Sequence, residues 1–219
     1  MMLRFFSFIL GILISSSCIA YAAKPAISSQ EASDWANSKG KELLLTLSEK
    51  DIQLKHQKLD KMFLEDVNLD FISKFVIGKY AKSMNTEQHI IYKDLFQRYV
   101  LSLYKRFNLN IDSSKVDFQI TSIIERPKYT NVECSINISK LINNPEQLPI
   151  PAKFKLIRGD NNKIQAVDVE IAEISLVIEY RKRFYQMIKD ESEDINWFLD
   201  KFSEIVKANE AQAITNRSL

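Results

Sequence analysis

The sequence predicts an α+β fold, with helices packed on one face of a twisted, mainly antiparallel four-stranded sheet, the two apolar faces either meeting tightly or leaving an apolar cleft between the layers. Three observations predict it. Apolar residues recur at helical spacing from Ser28 to about Leu109. They then alternate with polar ones from Val116 to Ile174, and helical spacing returns from Ser175. Strands joined by short turns make an antiparallel meander, which buries one face and wets the other.

Residues 1–22 read as an export signal. Met1–Arg4 is a short basic stretch, Phe5–Ile14 an apolar run, and Ala20-Tyr21-Ala22 places small residues where a signal peptidase cuts, before Ala23. The run is about half of the ~20 residues that a membrane span needs. Lipidation at Cys18 is disfavoured because Ser15 stands where a bulky aliphatic residue is wanted. The expected organisation is a signal peptide over 1–22, one α+β domain over 23–208 and a flexible tail over 209–219, with the protein exported.

Ser28 with Glu31 forms a capping-box pattern, and Trp35, Ala36, Leu43, Leu44 and Leu47 continue one helical face. A shorter helix is expected over Lys58–Leu64. Asn68 caps a third, with Ile72, Phe75 and Val76 inward and Gly78 near its end. The longest helix starts at Asn85 or Thr86, and its stripe runs Ile91, Tyr92, Leu95, Phe96, Tyr99, Val100, Leu103, Phe107. Strands follow over Val116–Ile124, Val132–Ile138, Lys153–Arg158 and Ile164–Ile174, with Pro127 closing the first and Gly159-Asp160-Asn161-Asn162 turning the third. A helix over Ser175–Lys189 comes next, then a last one capped by Asp190 with Glu193 and ending near Ala208.

Composition removes most function classes. With 219 residues the chain has length for a real core, and 30 basic against 28 acidic side chains give no basic excess for nucleic acid. Its four glycines, Gly11, Gly40, Gly78 and Gly159, are too scattered for a phosphate-binding loop or a nucleophile elbow. Two histidines, His56 and His89, do not make a metal site or a triad, so no cofactor is expected. His56, amid Lys55, Gln57 and Lys58, reads as a solvated helix-face residue. After signal removal only Cys134 remains. It lies on the apolar phase of its strand and reads as a buried hydrophobe in a chain with no internal disulfide. Asp168 and Glu170, two apart on one strand, have the spacing of a carboxylate pair, but nothing in the sequence desolvates them.

The helix bearing Tyr92, Phe96, Tyr99 and Tyr104 is either core or the wall of a cavity. A buried phenol must find a partner or face water, so three tyrosines suit a cavity rim. Phe118 and Phe154 add bulk from the sheet. Arg126 and Lys128 flank a turn at the sheet edge, where they can meet an anionic head group or a partner.

Two stretches resemble a known family. Phe75-Val76-Ile77-Gly78-Lys79-Tyr80 with Thr86-Glu87-Gln88, Tyr92, Phe96 and Tyr99 is one. Asp168-Val169-Glu170-Ile171-Ala172-Glu173-Ile174-Ser175-Leu176-Val177 through Tyr180-Arg181 and Phe184 is the other. Both look like motifs of the MlaC-type periplasmic phospholipid-binding proteins, also called the toluene-tolerance family, and the similarity spans about Glu31 to Val206. Ala81 departs from the aromatic that the family carries there. Ser83-Met84-Asn85 replaces the usual stretch, and Ala172-Glu173 stands where Glu-Gly is common.

The resemblance implies a carrier, not an enzyme. It would hold a glycerophospholipid and pass it between an inner-membrane ABC-type complex and an outer-membrane lipoprotein–porin complex, maintaining lipid asymmetry as a monomer. By motif position and apolar phase, its pocket would draw on Phe75, Val76, Tyr80, Tyr92, Phe96 and Tyr99 from the first helices. Phe118, Ile136, Phe154 and Val169 would come from the sheet, and Val177 and Phe184 from the next helix. Arg126, Lys128 and Arg181 would meet the head group or a partner. The alternatives are an envelope adaptor without a lipid cavity and a hydrolase using Asp168 or Glu170.

Overall fold

Ser28 opens the first helix through a reciprocal cap. Its hydroxyl accepts the backbone N–H of Glu31, and its own N–H donates to the Glu31 carboxylate, launching α1, Ser29–Leu47. The computed structural model describes residues 26–106, 111–160, 162–190 and 192–215. The export signal expected at 1–22, Phe107 and residues 216–219 of the expected tail lie outside the described residues.

Asp51 accepts the N–H groups of Gln53 and Leu54, so α2 spans Ile52–Asp66 and starts earlier than the apolar pattern alone suggested. Asn68 accepts the N–H of Phe71 to begin α3, Leu69–Ile77, which ends where Gly78 turns to φ +50°. After a 3-10 turn over Gly78–Ser83, Asn85 and Gln88 form a second capping box for α4, Thr86–Leu103. The sheet strands are β1 (Asp117–Glu125), β2 (Thr130–Asn137), β3 (Ile150–Arg158), β4 (Ile164–Ile171) and β5 (Ile174–Ser175), paired antiparallel in chain order. Helices α5 (Leu176–Asp190) and α6 (Ile195–Thr215) complete the chain.

The fold class is as expected, with details corrected. The sheet has five strands among the described residues, not four, because Ala172 and Glu173 adopt φ 49° and 67° and fold Ile174–Ser175 back on β4 as a separate short strand. Asp190 and Glu193 do not cap the last helix. Ser192 takes φ 56°, the Glu193 N–H returns to Ile188 O at 2.9 Å, and α5 closes there. Asp194 caps α6 instead, accepting from Asn196 N at 2.8 Å and Trp197 N at 3.2 Å. The last helix runs past Ala208 because Val206, Asn209 and Ala213 continue its buried face.

The described residues form two cores. In one, α1 lays Ala32, Trp35 and Ala36 on the apolar sheet face, against Val132, Cys134, Ala152, Leu156 and Ala166. In the other, α3, α4, α5 and α6 enclose Val76, Tyr92, Phe96, Phe184, Phe198 and Phe202, with Phe184 and Phe202 rings 4.9 Å apart. The segment between α2 and α3 joins them. Val67 makes a parallel bridge to Ala166, and Asn68 donates from its backbone to Ala166 O at 2.9 Å and from its side chain to Gln165 Oε1 at 3.1 Å.

Candidate binding cleft

Where the helical core stands off from the sheet, a cavity of about 610 Å³ remains. Phe71 and Phe75 of α3 and Val177 and Ile178 of α5 form one wall. Lys155, Ile157, Arg158, Val167 and Asp168 of β3 and β4 form the other. Pro127-Lys128-Tyr129 of the β1–β2 turn and Ala26-Ile27 close the ends. A bulge explains why neighbours Val167 and Asp168 both reach it. Lys155 pairs with Asp168 but Leu156 pairs with Ala166, which leaves Val167 as the extra residue. The lining is mostly apolar, and its size lies within the ~300–1,000 Å³ of small-ligand sites. Phe71, Phe75 and Ile178 remain exposed at the mouth.

Charge is arranged around this opening. Asp168 accepts from Ser175 Oγ at 2.7 Å and Val177 N at 3.3 Å, and Ser175 Oγ accepts the Ile178 N–H at 3.2 Å, so both residues cap the start of α5. Arg158 lies 2.5 Å from Glu31; this pair, helped by Ser28, holds the Glu31 carboxyl at about 2, well below its ordinary 4.5. The Lys155 ammonium sits 5.0 Å above the Tyr129 ring.

Of the residues expected from the sequence, Phe75, Val177 and Lys128 stand on the cavity wall. Val76, Tyr80, Tyr92, Phe96, Tyr99 and Phe184 lie in the helical core instead. There the buried phenols have partners: Tyr92 donates to Ser73 O at 2.9 Å, and Tyr80 to Glu193 Oε1 at 2.8 Å. Phe118, Ile136 and Phe154 pack on the α1 side of the sheet, and Val169 pairs with Phe154 in register. Arg126 is exposed on the β1–β2 turn. Arg181 grips the end of α3, donating to Phe75 O at 3.0 Å and Tyr185 Oη at 2.9 Å.

Phe71, Tyr129, Lys155, Ile157, Arg158, Val167 and Ile178 line the cavity without having been singled out. Ile157 and Lys155 were legible as the opposite phase of β3; Val167 was not, because a bulge has no simple periodic signature. His56, expected in solvent, is buried with its ring edge-on to Tyr104 at 6.4 Å. Cys134 is buried as expected, and its thiol is pushed up to about 12. Glu170 is ion-paired with Lys153. Among the described residues, no three His, Cys, Asp or Glu side chains gather as a metal site, and no helix is long and apolar enough to cross a membrane.

An open antiparallel sheet and a helical layer separated by an apolar slot define an α+β binding domain. The MlaC family model, described as MlaC protein, matches residues 41–210, and the chain belongs to the MlaC family. A solved phospholipid-binding protein from Ralstonia solanacearum, in complex with a phospholipid, superimposes with a TM-score of 0.64 at 14% identity. The match covers 80% of this chain and 96% of that one and shows a shared fold. No curated protein sequence matches.

Proposed function

We propose that the protein is a periplasmic carrier that holds the acyl chains of a glycerophospholipid in this cleft. The observation that carries the proposal is the apolar cavity itself, open to solvent between Phe71 and Phe75 on one side and Ile157 and Val167 on the other. Family membership and the phospholipid held by the Ralstonia relative support it. The acyl chains lie against Phe75 and Val177, with the aromatic helical core as the rigid backing of that wall. The head group stays at the mouth.

Burying about 30 methylenes is worth ~24 kcal/mol relative to water. A bilayer offers nearly the same, so the carrier gains only the small difference. It therefore needs a dry slot matching the bilayer's contacts, and docking partners that lower the transfer barrier. In this proposal the partners are an inner-membrane ABC-type complex and an outer-membrane lipoprotein–porin complex. The protein moves between them as a monomer after cleavage before Ala23, and the traffic maintains lipid asymmetry. An adaptor without a lipid site calls for a solid interior, and the cavity speaks for the carrier. Asp168 and Glu170, the carboxylates of the hydrolase alternative, are engaged in a helix cap and an ion pair.

Solvent extraction of the purified protein followed by mass spectrometry tests the proposal. Stoichiometric phospholipid is expected. Finding none, with none taken up from liposomes, overturns it.

A further inference from the structure

We propose that the cleft discriminates by head-group charge, taking net-anionic phospholipids over zwitterionic ones through Lys128 and Lys155 at its mouth. The inference rests on the carrier proposal and adds the class of lipid. Lys128 on the β1–β2 turn, Lys155 and Arg158 on β3 and Asp168 on β4 line the cavity. Glu31 pairs with the lining Arg158, and Glu125 ends β1 just before the turn that carries Lys128.

Every one of those carboxylates is already tied to a helix N-terminus. Glu31 is held by the α1 cap at Ser28 N, 3.0 Å, and by Arg158 at 2.5 Å. Glu125 accepts from Ser29 N at 2.6 Å and Ser29 Oγ at 2.5 Å. Asp168 accepts from Ser175 Oγ and Val177 N at the start of α5. Helix N-termini favour negative charge, so these acids are satisfied where they stand. Arg158 is neutralised by Glu31.

Lys128 and Lys155 are different. Neither is in an ion pair with a described carboxylate; Lys128 is exposed and Lys155 rests on the Tyr129 ring. Both line the cavity. A phosphodiester at the mouth meets two uncommitted ammonium groups. A zwitterionic head group brings its own ammonium as well, and the wall carboxylate placed to receive it, Asp168, is already engaged at each oxygen by the start of α5. A head group with no cation of its own leaves nothing unpaired.

Delipidated protein is incubated with vesicles of equimolar phosphatidylglycerol, phosphatidylethanolamine and phosphatidylcholine with matched chains, and bound lipid is quantified by mass spectrometry. About fivefold enrichment of phosphatidylglycerol is expected, the scale of exposed charge pairs, falling as salt is raised. The Lys128→Gln/Lys155→Gln variant is expected to lose the enrichment, taking up the three lipids in the ratio of the vesicles, and its unchanged thermal midpoint shows that it folds. Equal uptake of the three lipids, or enrichment that survives in the variant, overturns the selectivity and leaves the carrier standing. Uptake of no lipid overturns both. Excess soluble glycerophosphate is expected to change nothing; displacement of lipid by it assigns the lysines to a free phosphate ligand and overturns the inference.

Discussion

Arg181 binds three groups at once. Its guanidinium donates to Phe75 O and Tyr185 Oη, and it lies 4.8 Å from the centre of the Phe75 ring, which lines the cleft. The Tyr185 oxygen also accepts the Lys79 N–H at 3.0 Å. Gly78 allows this clasp by its conformation and its emptiness: a Cβ there would stand 2.2 Å from Tyr185 Oη and 2.8 Å from an Arg181 nitrogen, at φ +50°. Gly78→Ala is expected to destabilise by about 1–3 kcal/mol, read as a lower urea midpoint, and to loosen lipid retention with it. Glu31 sets a second expectation. Arg158 and Ser28 depress its folded pKa to about 2, so its contribution to stability is present above its ordinary 4.5 and is lost as pH falls towards 2. The thermal midpoint of Glu31→Gln should therefore vary less than wild type across that window, and the two should converge at its acid end.

At the scale of elements, the β4–β5 turn is a strained joint. Ala172 and Glu173 both occupy positive φ, a conformation that asparagine and glycine take readily and that costs an ordinary residue about 1 kcal/mol. Replacing the pair with Asn-Gly is expected to raise stability by about 1 kcal/mol by urea unfolding; a loss would mean that the turn has another geometry. Caps were legible in the same local way. Ser28, Asn68 and Asn85 begin α1, α3 and α4 where their types and spacings indicated, because a cap is decided within four residues. Asp190 and Glu193 misled for the converse reason: the end of α5 takes Ser192 and Glu193 into left-handed conformations, and Glu193 is drawn to Tyr80 from a distant helix.

Across the whole molecule, the cleft exists because the two cores meet along β4. The helical core closes on aromatic rings such as Tyr92, Phe96, Phe184, Phe198 and Phe202, the sheet core closes under α1, and the space between them is lined by Val177 from the first, Ile27 from the second and residues such as Phe71, Phe75 and Ile157 at their margins. Ile157, half-buried on the sheet wall, tests this. Ile157→Trp is expected to fill the slot and lower bound phospholipid at least tenfold by extraction, with the far-ultraviolet dichroism unchanged. Retention of lipid at wild-type stoichiometry would place it elsewhere. The aromatic stripe of α4 was plain in the sequence, but its partners were not: Tyr92 and Phe96 face Phe184, Phe198 and Phe202 across the bundle. Apolar periodicity says that a face is buried and is silent on whether protein or lipid buries it.

By itself the sequence determined what is local: the helix starts, the switch from helical to strand periodicity, the buried Cys134, and the two stretches that resemble the family. Only the tertiary structure decided which apolar surfaces pair with each other and which two remain apart, because that depends on the bulge at Val167, the bridge from Val67 to Ala166 and the packing of α3 and α5 against β4. Those are contacts between residues far apart in the chain, and no window of neighbouring residues encodes them.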